Sequence, residues 1–147
     1  FLQCNIICDM RVVFDTNIII AGTISPNGAS YQLLNEIINN RFKLITSVPL
    51  MLEYEDVLKR KNMLDRSGLS NMDIDVLLNM IAKTSIHQIS HFLWRPQLRD
   101  AKDEMVLETA INGEADAIIT FNKADFESAI HNFGIKLLTS GEFLRSL

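Results

Sequence analysis

Cysteine is scarce in this chain: Cys4 and Cys8 are the only two in 147 residues. Both fall in the opening segment, and their spacing lacks the second ligand pair that a zinc site needs. No disulfide framework is expected, which fits a reducing cytoplasm. Long hydrophobic runs are also missing. No apolar stretch approaches the roughly 20 residues of a membrane span, so a soluble protein with no membrane partner is expected. Nor is there a surplus of positive charge, since 14 Lys and Arg stand against 18 Asp and Glu, for a formal charge of -4. That balance argues against binding nucleic acid by unaided phosphate attraction. It leaves nucleic acid open, because an acidic cluster reverses its local sign once cations are bound. There is no P-loop, no G-x-G-x-x-G, no serine in a nucleophile elbow and no H-E-x-x-H. His87, His91 and His131 are accordingly read as structural or surface residues.

What is present is an ordinary globular composition, with 48% hydrophobic and 22% charged residues. Disordered chains have too few apolar residues to collapse in this way. The length suits one domain with a substantial core. Residues Phe1 to Asp9 have no basic region before the apolar part and no small-residue cleavage site after it. Met10 begins a more ordinary start. Residues 1–9 are therefore expected to be a leader or an appended, non-native segment, and residues 10–147 a single domain.

Strand and helix signals alternate along that domain. Val12 to Phe14 read as a short buried strand, followed by a turn region with Gly22, Pro26 and Gly28. A helix is predicted from about Ser30 to Asn40, a strand over Phe42 to Thr46, and a helix capped by Ser47, with Pro49 in its first turn, ending near Lys61. Ser70 and Asp73 form a capping-box pattern for the next helix. Ser85 to Arg99 is less regular. A strong helix pattern covers Asp100 to Asn112 and stops at Gly113. Ala117 to Thr120 is a strand, Phe126 to Asn132 a helix, and Ile135 to Leu138 a last strand before a short terminal helix. This alternation predicts an α/β domain with a mainly parallel central sheet flanked by helices.

Four carboxylates stand out against that frame. Asp15 closes the first strand and Asp125 follows the strand ending at Thr120, and ligands of such sheets bind outside the carboxyl ends of the strands. Asn17 and Asn122 occupy the same edge. On the helix from Asp100, Val106, Leu107, Ala110 and Ile111 fill one arc, and Asp103 projects into the middle of it. Glu53 borders the apolar arc of its helix. Local explanations compete at each position: Asp15-Thr16-Asn17 as a turn or N-cap cluster, Asp125 and Asp100 as helix caps, Glu53 as a boundary acid. Glu104 and Glu108 fall toward the polar side, where a solvated face accounts for them. A carboxylate that loses hydration needs a partner to stay ionised, and a divalent cation is the commonest partner for a group of four. All-oxygen ligands favour Mg²⁺ or Mn²⁺, and one or two such ions promote phosphodiester hydrolysis.

The segments VVFDTNIIIAG, LMLEYEDVLKR and RDAKDEMVLETAINGEADAIITFNKADF, taken in order, resemble the PIN-domain family, close to the VapC-type toxins of prokaryotic toxin-antitoxin systems. The resemblance covers nearly everything from Met10 onward. It implies a compact Rossmann-like three-layer domain and a Mg²⁺- or Mn²⁺-dependent endoribonuclease. The family's four acids match Asp15, Glu53, Asp103 and Asp125, as metal ligands and catalytic residues. Its accompanying polar residues match Asn17, Thr120 and Asn122, with Asp100 as a further neighbour of the third acid. One departure stands out: many relatives carry Asp where this chain has Asn122. The resemblance also implies an RNA substrate, a cognate antitoxin and a homodimer. Arg95, Arg99, Lys102 and Lys123 are candidate phosphate contacts, and Trp94 and Phe121 candidate stacking surfaces. The other readings are a PIN-like module that binds RNA or protein without cleaving, and a PIN nuclease with a processing role.

Overall fold

Three consecutive residues without a polar side chain, Val12, Val13 and Phe14, make a strand that suits only a place with both faces covered. They occupy it in β1 (Arg11–Phe14), the middle strand of a five-stranded, wholly parallel sheet, where all three have no exposed surface. The structure is a computed structural model and describes residues 9–89, 100–131 and 133–147. After β1 come α1 (Thr16–Ile24), α2 (Ala29–Ile38), β2 (Lys43–Thr46), α3 (Val48–Leu58), α4 (Lys61–Ser67), α5 (Asn71–Thr84) and β3 (Ile86–His87). The second half holds α6 (Ala101–Asn112), β4 (Ala117–Ile119), a 3-10 turn over Lys123–Asp125, α7 (Glu127–Ile130), β5 (Lys136–Leu138) and α8 (Ser140–Ser146). The expected three-layer α/β architecture is the one observed, and among the described residues no helix is long and apolar enough to cross a membrane.

Strand order is β3-β2-β1-β4-β5. The chain therefore builds outward from β1 to one edge, returns to the centre, and builds outward to the other. In register, Val12 lies beside Leu44 on one side, and Val13 and Phe14 lie beside Ile118 and Ile119 on the other. The reversal falls between β1 and β4, and open parallel sheets bind ligands in the crevice at such a reversal. An aromatic chain runs through the core beneath it: Phe42 packs on Phe14 at 5.8 Å and on Phe143 at 5.0 Å between ring centroids.

Several expectations are corrected. Of the turn region expected to hold Gly22, Pro26 and Gly28, the last two lie in the turn before α2 but Gly22 lies in α1, because Asp15 caps a helix at once and Gly22 serves a close approach: a Cβ there would meet Leu34 Cδ1 at 2.5 Å. The helix capped by Ser47 stops at Leu58, not near Lys61; Arg60 is extended, and a separate α4 follows, closed by Gly68 at φ 71°. Gly113 ends α6 as expected but with φ -85°. It is the following Glu114 that turns left-handed, at φ 52°. What glycine gives at 113 is room, since a Cβ would lie 2.8 Å from both Ile45 Cγ2 and the Thr109 carbonyl oxygen. The helix expected from Phe126 to Asn132 contains the one-turn α7, and a separate 3-10 turn precedes it. Asn132, the end of that expected helix, lies outside the described residues, as do Cys4, Cys8, His91, Trp94, Arg95 and Arg99.

Candidate active site

Asp15 sits at the carboxyl end of β1, and its side chain turns back to accept the Thr16 backbone N–H at 2.7 Å, capping α1. Capping is only half of its role. The other carboxylate oxygen accepts the hydroxyl of Thr120 at 2.7 Å, across the reversal point, from the residue that follows β4. Asp15 is 7% exposed and Thr120 fully buried. Burial pushes the Asp15 pKa up, the two hydrogen bonds pull it down, and the charges of Asp125 and Asp100 push it up again. Burial outweighs the bonds, so the proton is held more tightly than in water.

Asp103 stands in the first turn of α6, which packs against β1, β2 and β4. Its pKa is raised to about 6, first by desolvation, then by the charges of Asp15, Asp100, Asp125 and Glu104. Each of those acids is close enough to oppose its ionisation. Asp100 is exposed and caps α6 through the Lys102 backbone N–H at 2.9 Å, so its capping role is real and its charge still bears on both Asp15 and Asp103. Asp125 is exposed as well and lies inside the 3-10 turn. It caps no helix, since Phe126 precedes α7 without a side-chain cap. The capping explanation for Asp125 is therefore overturned. Asn122 is exposed, with its backbone N–H on the Thr120 hydroxyl at 3.0 Å.

Glu53 stands on α3. The next residue, Tyr54, is fully buried and donates its hydroxyl to the Phe14 carbonyl, which pins α3 to the end of β1. The Tyr54 pKa is driven well up by burial and then by the Asp15 charge, which places the ring beside the acid. The Glu53 side chain is 10% exposed, with Oε1 3.7 Å from the ammonium of Lys102. Among the described residues that oxygen is buried without a hydrogen-bond partner, and so is Oδ1 of Asn17 in the first turn of α1.

Two assignments from the helical wheel change. Asp103 is only partly buried, whereas Glu104 and Glu108, expected on a solvated face, are 3% and 4% exposed. The reason is packing on more than one side: α6 meets both the sheet and α3, where Thr109 hydrogen-bonds Ser47 at 2.7 Å. Sequence reading also missed the pairing of Lys102 with Glu53 and the Tyr54 anchor. Neither has a sequence signal, because each joins residues on different elements. His87, read as structural, has its Nε2 2.7 Å from the Ala82 carbonyl.

Do these residues suit a divalent cation? Among the described residues no three His, Cys, Asp or Glu side chains form a ready ligand set. Their chemistry fits nonetheless. The donors are oxygens, two of them are buried with no hydrogen-bond donor, and the acids resist sharing negative charge. A hard cation relieves both conditions. Asp15, Asp103, Glu53 and the Asn17 side chain are the groups that would hold it, with Asp125 and Asp100 at the rim.

A PIN-domain family model matches residues 11–124, a span that includes Asp15, Glu53, Asp103 and Asn122 and stops one residue short of Asp125. No curated protein sequence gives a match to the chain. PIN domains are generally nucleases, that is, hydrolases of phosphodiester bonds, and typically use divalent metals. By the match over most of its length, and by a parallel sheet that reverses beside Asp15, the chain belongs to the PIN-domain family.

Proposed function

We propose that this protein is a Mg²⁺- or Mn²⁺-dependent endoribonuclease, and that it is the toxin of a toxin-antitoxin pair acting in the cytoplasm. The observation that carries the catalytic reading is the buried Asp15 carboxylate at the reversal of the sheet, with the charges of Asp100 and Asp125 bearing on it and its own charge bearing on Asp103. An uncompensated acid cluster at a ligand crevice costs stability, and natural chains retain such clusters where a cation or a reaction needs them. When bound there, a divalent cation would supply Lewis-acid stabilisation of the charge on a phosphodiester. The protein's own part is positional. Thr120 and the Thr16 amide fix the Asp15 carboxylate in one orientation. Tyr54 fixes the helix that carries Glu53. Asp103 and Asp125 extend the acidic surface toward solvent, where the substrate strand would lie.

Lys123 is a candidate phosphate contact at the rim, but its ammonium is committed to Glu142 at 2.6 Å, and that bond holds the Glu142 carboxyl down at about 2. Phe121, 47% exposed and next to Thr120, supports a surface on which an unpaired base stacks. The partners on this reading are single-stranded RNA, a cognate antitoxin and a second copy of the chain.

The test is cleavage of single-stranded RNA by purified protein with Mn²⁺, abolished by chelation and by Asp15→Asn or Asp103→Asn. If wild type and Asp103→Asn are equally inactive while RNA still binds, the catalytic reading is wrong and the domain is a binding module. Growth arrest on expression, relieved by a small neighbouring gene product, separates a toxin from a processing nuclease.

A further inference from the structure

Glu53 is the acid whose environment is least explained by the fold. Its side chain is nine-tenths buried, yet among the described residues Oε1 accepts no hydrogen bond. A buried carboxylate oxygen in that condition is costly, and the relief it has among the described residues is a cation. That cation is Lys102, at 3.7 Å, too far for a hydrogen bond and on a side chain that is 51% exposed. The pair is therefore loose on one side and buried on the other. Lys102 projects from the first turn of α6, immediately before Asp103, so the same turn carries Asp103 and the ammonium that faces Glu53. Two other lysines are engaged differently. Lys123 is bound to Glu142 at 2.6 Å, and Lys59 to Asp75 at 2.6 Å.

We infer that Lys102 is a resident, displaceable counter-ion for Glu53, which occupies that carboxylate in the metal-free protein and is exchanged for the divalent cation when the site loads. This rests on the metal-dependent reading above and adds to it an internal competitor that sets how much cation the site requires. The exchange is inexpensive because what is given up is a long, half-solvated ion pair, worth little in water. What is gained is a cation that can meet the orphaned oxygen directly. The long flexible stem of lysine lets the ammonium swing to solvent without disturbing α6.

Mn²⁺ binding to the purified full chain, followed by calorimetry without RNA, tests this. Lys102→Met is expected to tighten Mn²⁺ binding roughly two- to fivefold, the size expected for losing a partly exposed ion pair. Lys102→Arg keeps the charge and should bind Mn²⁺ no more tightly than wild type. In a Glu53→Gln background, Lys102→Met should change nothing, which separates an exchange at Glu53 from a general loss of positive charge. Circular dichroism of each variant checks folding, and half-exposed Lys102 gives no reason for collapse. With RNA added, the Mn²⁺ concentration for half-maximal cleavage should fall in Lys102→Met by the same factor. Equal or weaker Mn²⁺ affinity in Lys102→Met, or an effect that persists without Glu53, overturns the inference while leaving the proposed nuclease standing. Absence of any Mn²⁺ binding by the wild type overturns both.

Discussion

The hydroxyl of Thr120 donates to the Asp15 carboxylate at 2.7 Å, and this single bond ties together the two strand ends between which the sheet reverses direction. The backbone reinforces it, since the Asp15 N–H bonds the Ile119 carbonyl at 2.9 Å. The consequence is an acid whose position is fixed by two strands and a helix before any ligand arrives. Preorganisation of that kind lets a site hold charge without moving to meet it.

Thr120→Val keeps the shape and removes the donor. Asp15 then loses one of the two bonds that favour its charged form, so its pKa rises further and the fold loses about 1–3 kcal/mol at neutral pH. Urea unfolding with and without Mn²⁺ measures this, and the variant should also need more Mn²⁺ for any given stabilisation. Unchanged unfolding midpoints would show that the bond carries no weight.

Tyr54→Phe deletes a fully buried donor and leaves the Phe14 carbonyl without it. A loss of roughly 1–2 kcal/mol is expected. Because the same bond fixes α3, RNA cleavage should fall by more than the unfolded fraction explains, as read from activity well below the melting temperature.

Two glycine substitutions should rank in a definite order. Gly113→Ala forces a Cβ to 2.8 Å from the Thr109 carbonyl oxygen and the Ile45 side chain, and the backbone atom cannot yield. Overpacking of this kind costs about 1–3 kcal/mol. Gly22→Ala meets chiefly the flexible end of Leu34, and alanine recovers roughly 1 kcal/mol of helix propensity inside α1. Gly113→Ala should therefore melt at the lower temperature, and the reverse order would refute the packing account.

Asp103 gives the metal-free protein a pH dependence of known sign. Its folded-state pKa of about 6 lies above the ordinary 3.8, so the folded protein binds that proton more tightly than the unfolded chain. The stabilisation is present at low pH and is lost as pH rises through 6. Raised Asp15 adds in the same direction. In chelator, wild type should melt higher at pH 5 than at pH 7.5. Asp103→Asn should raise the melting temperature at pH 7.5 and flatten the profile. A steeper profile in the variant would contradict the assignment.

Much of this was legible from the chain because it is local. Apolar runs named β1 and β4, Ser47 and the Ser70–Asp73 pair marked helix starts that the structure contains, and Asp15 at a strand end pointed to the crevice. Glu104 and Glu108 were misread because a helical wheel assumes one buried face, and α6 is covered on more than one side. Gly22 was misread because a glycine spaced for contact with Leu34 looks the same in sequence as a glycine in a turn.

By itself, then, the sequence determined an α/β order and the likeness to the PIN-domain family, and it singled out the acids Asp15, Glu53, Asp103 and Asp125 as candidates, since periodicity, end signals and residue type are properties of short segments. Only the tertiary structure decided that Thr120 reaches Asp15, that Tyr54 anchors α3, that Asp125 is no helix cap, and that Lys102 approaches Glu53. The physical reason is distance along the chain: two of these contacts join residues tens of positions apart or more, a third joins α3 to α6, and their energies depend on burial, which exists only once the sheet has closed around them.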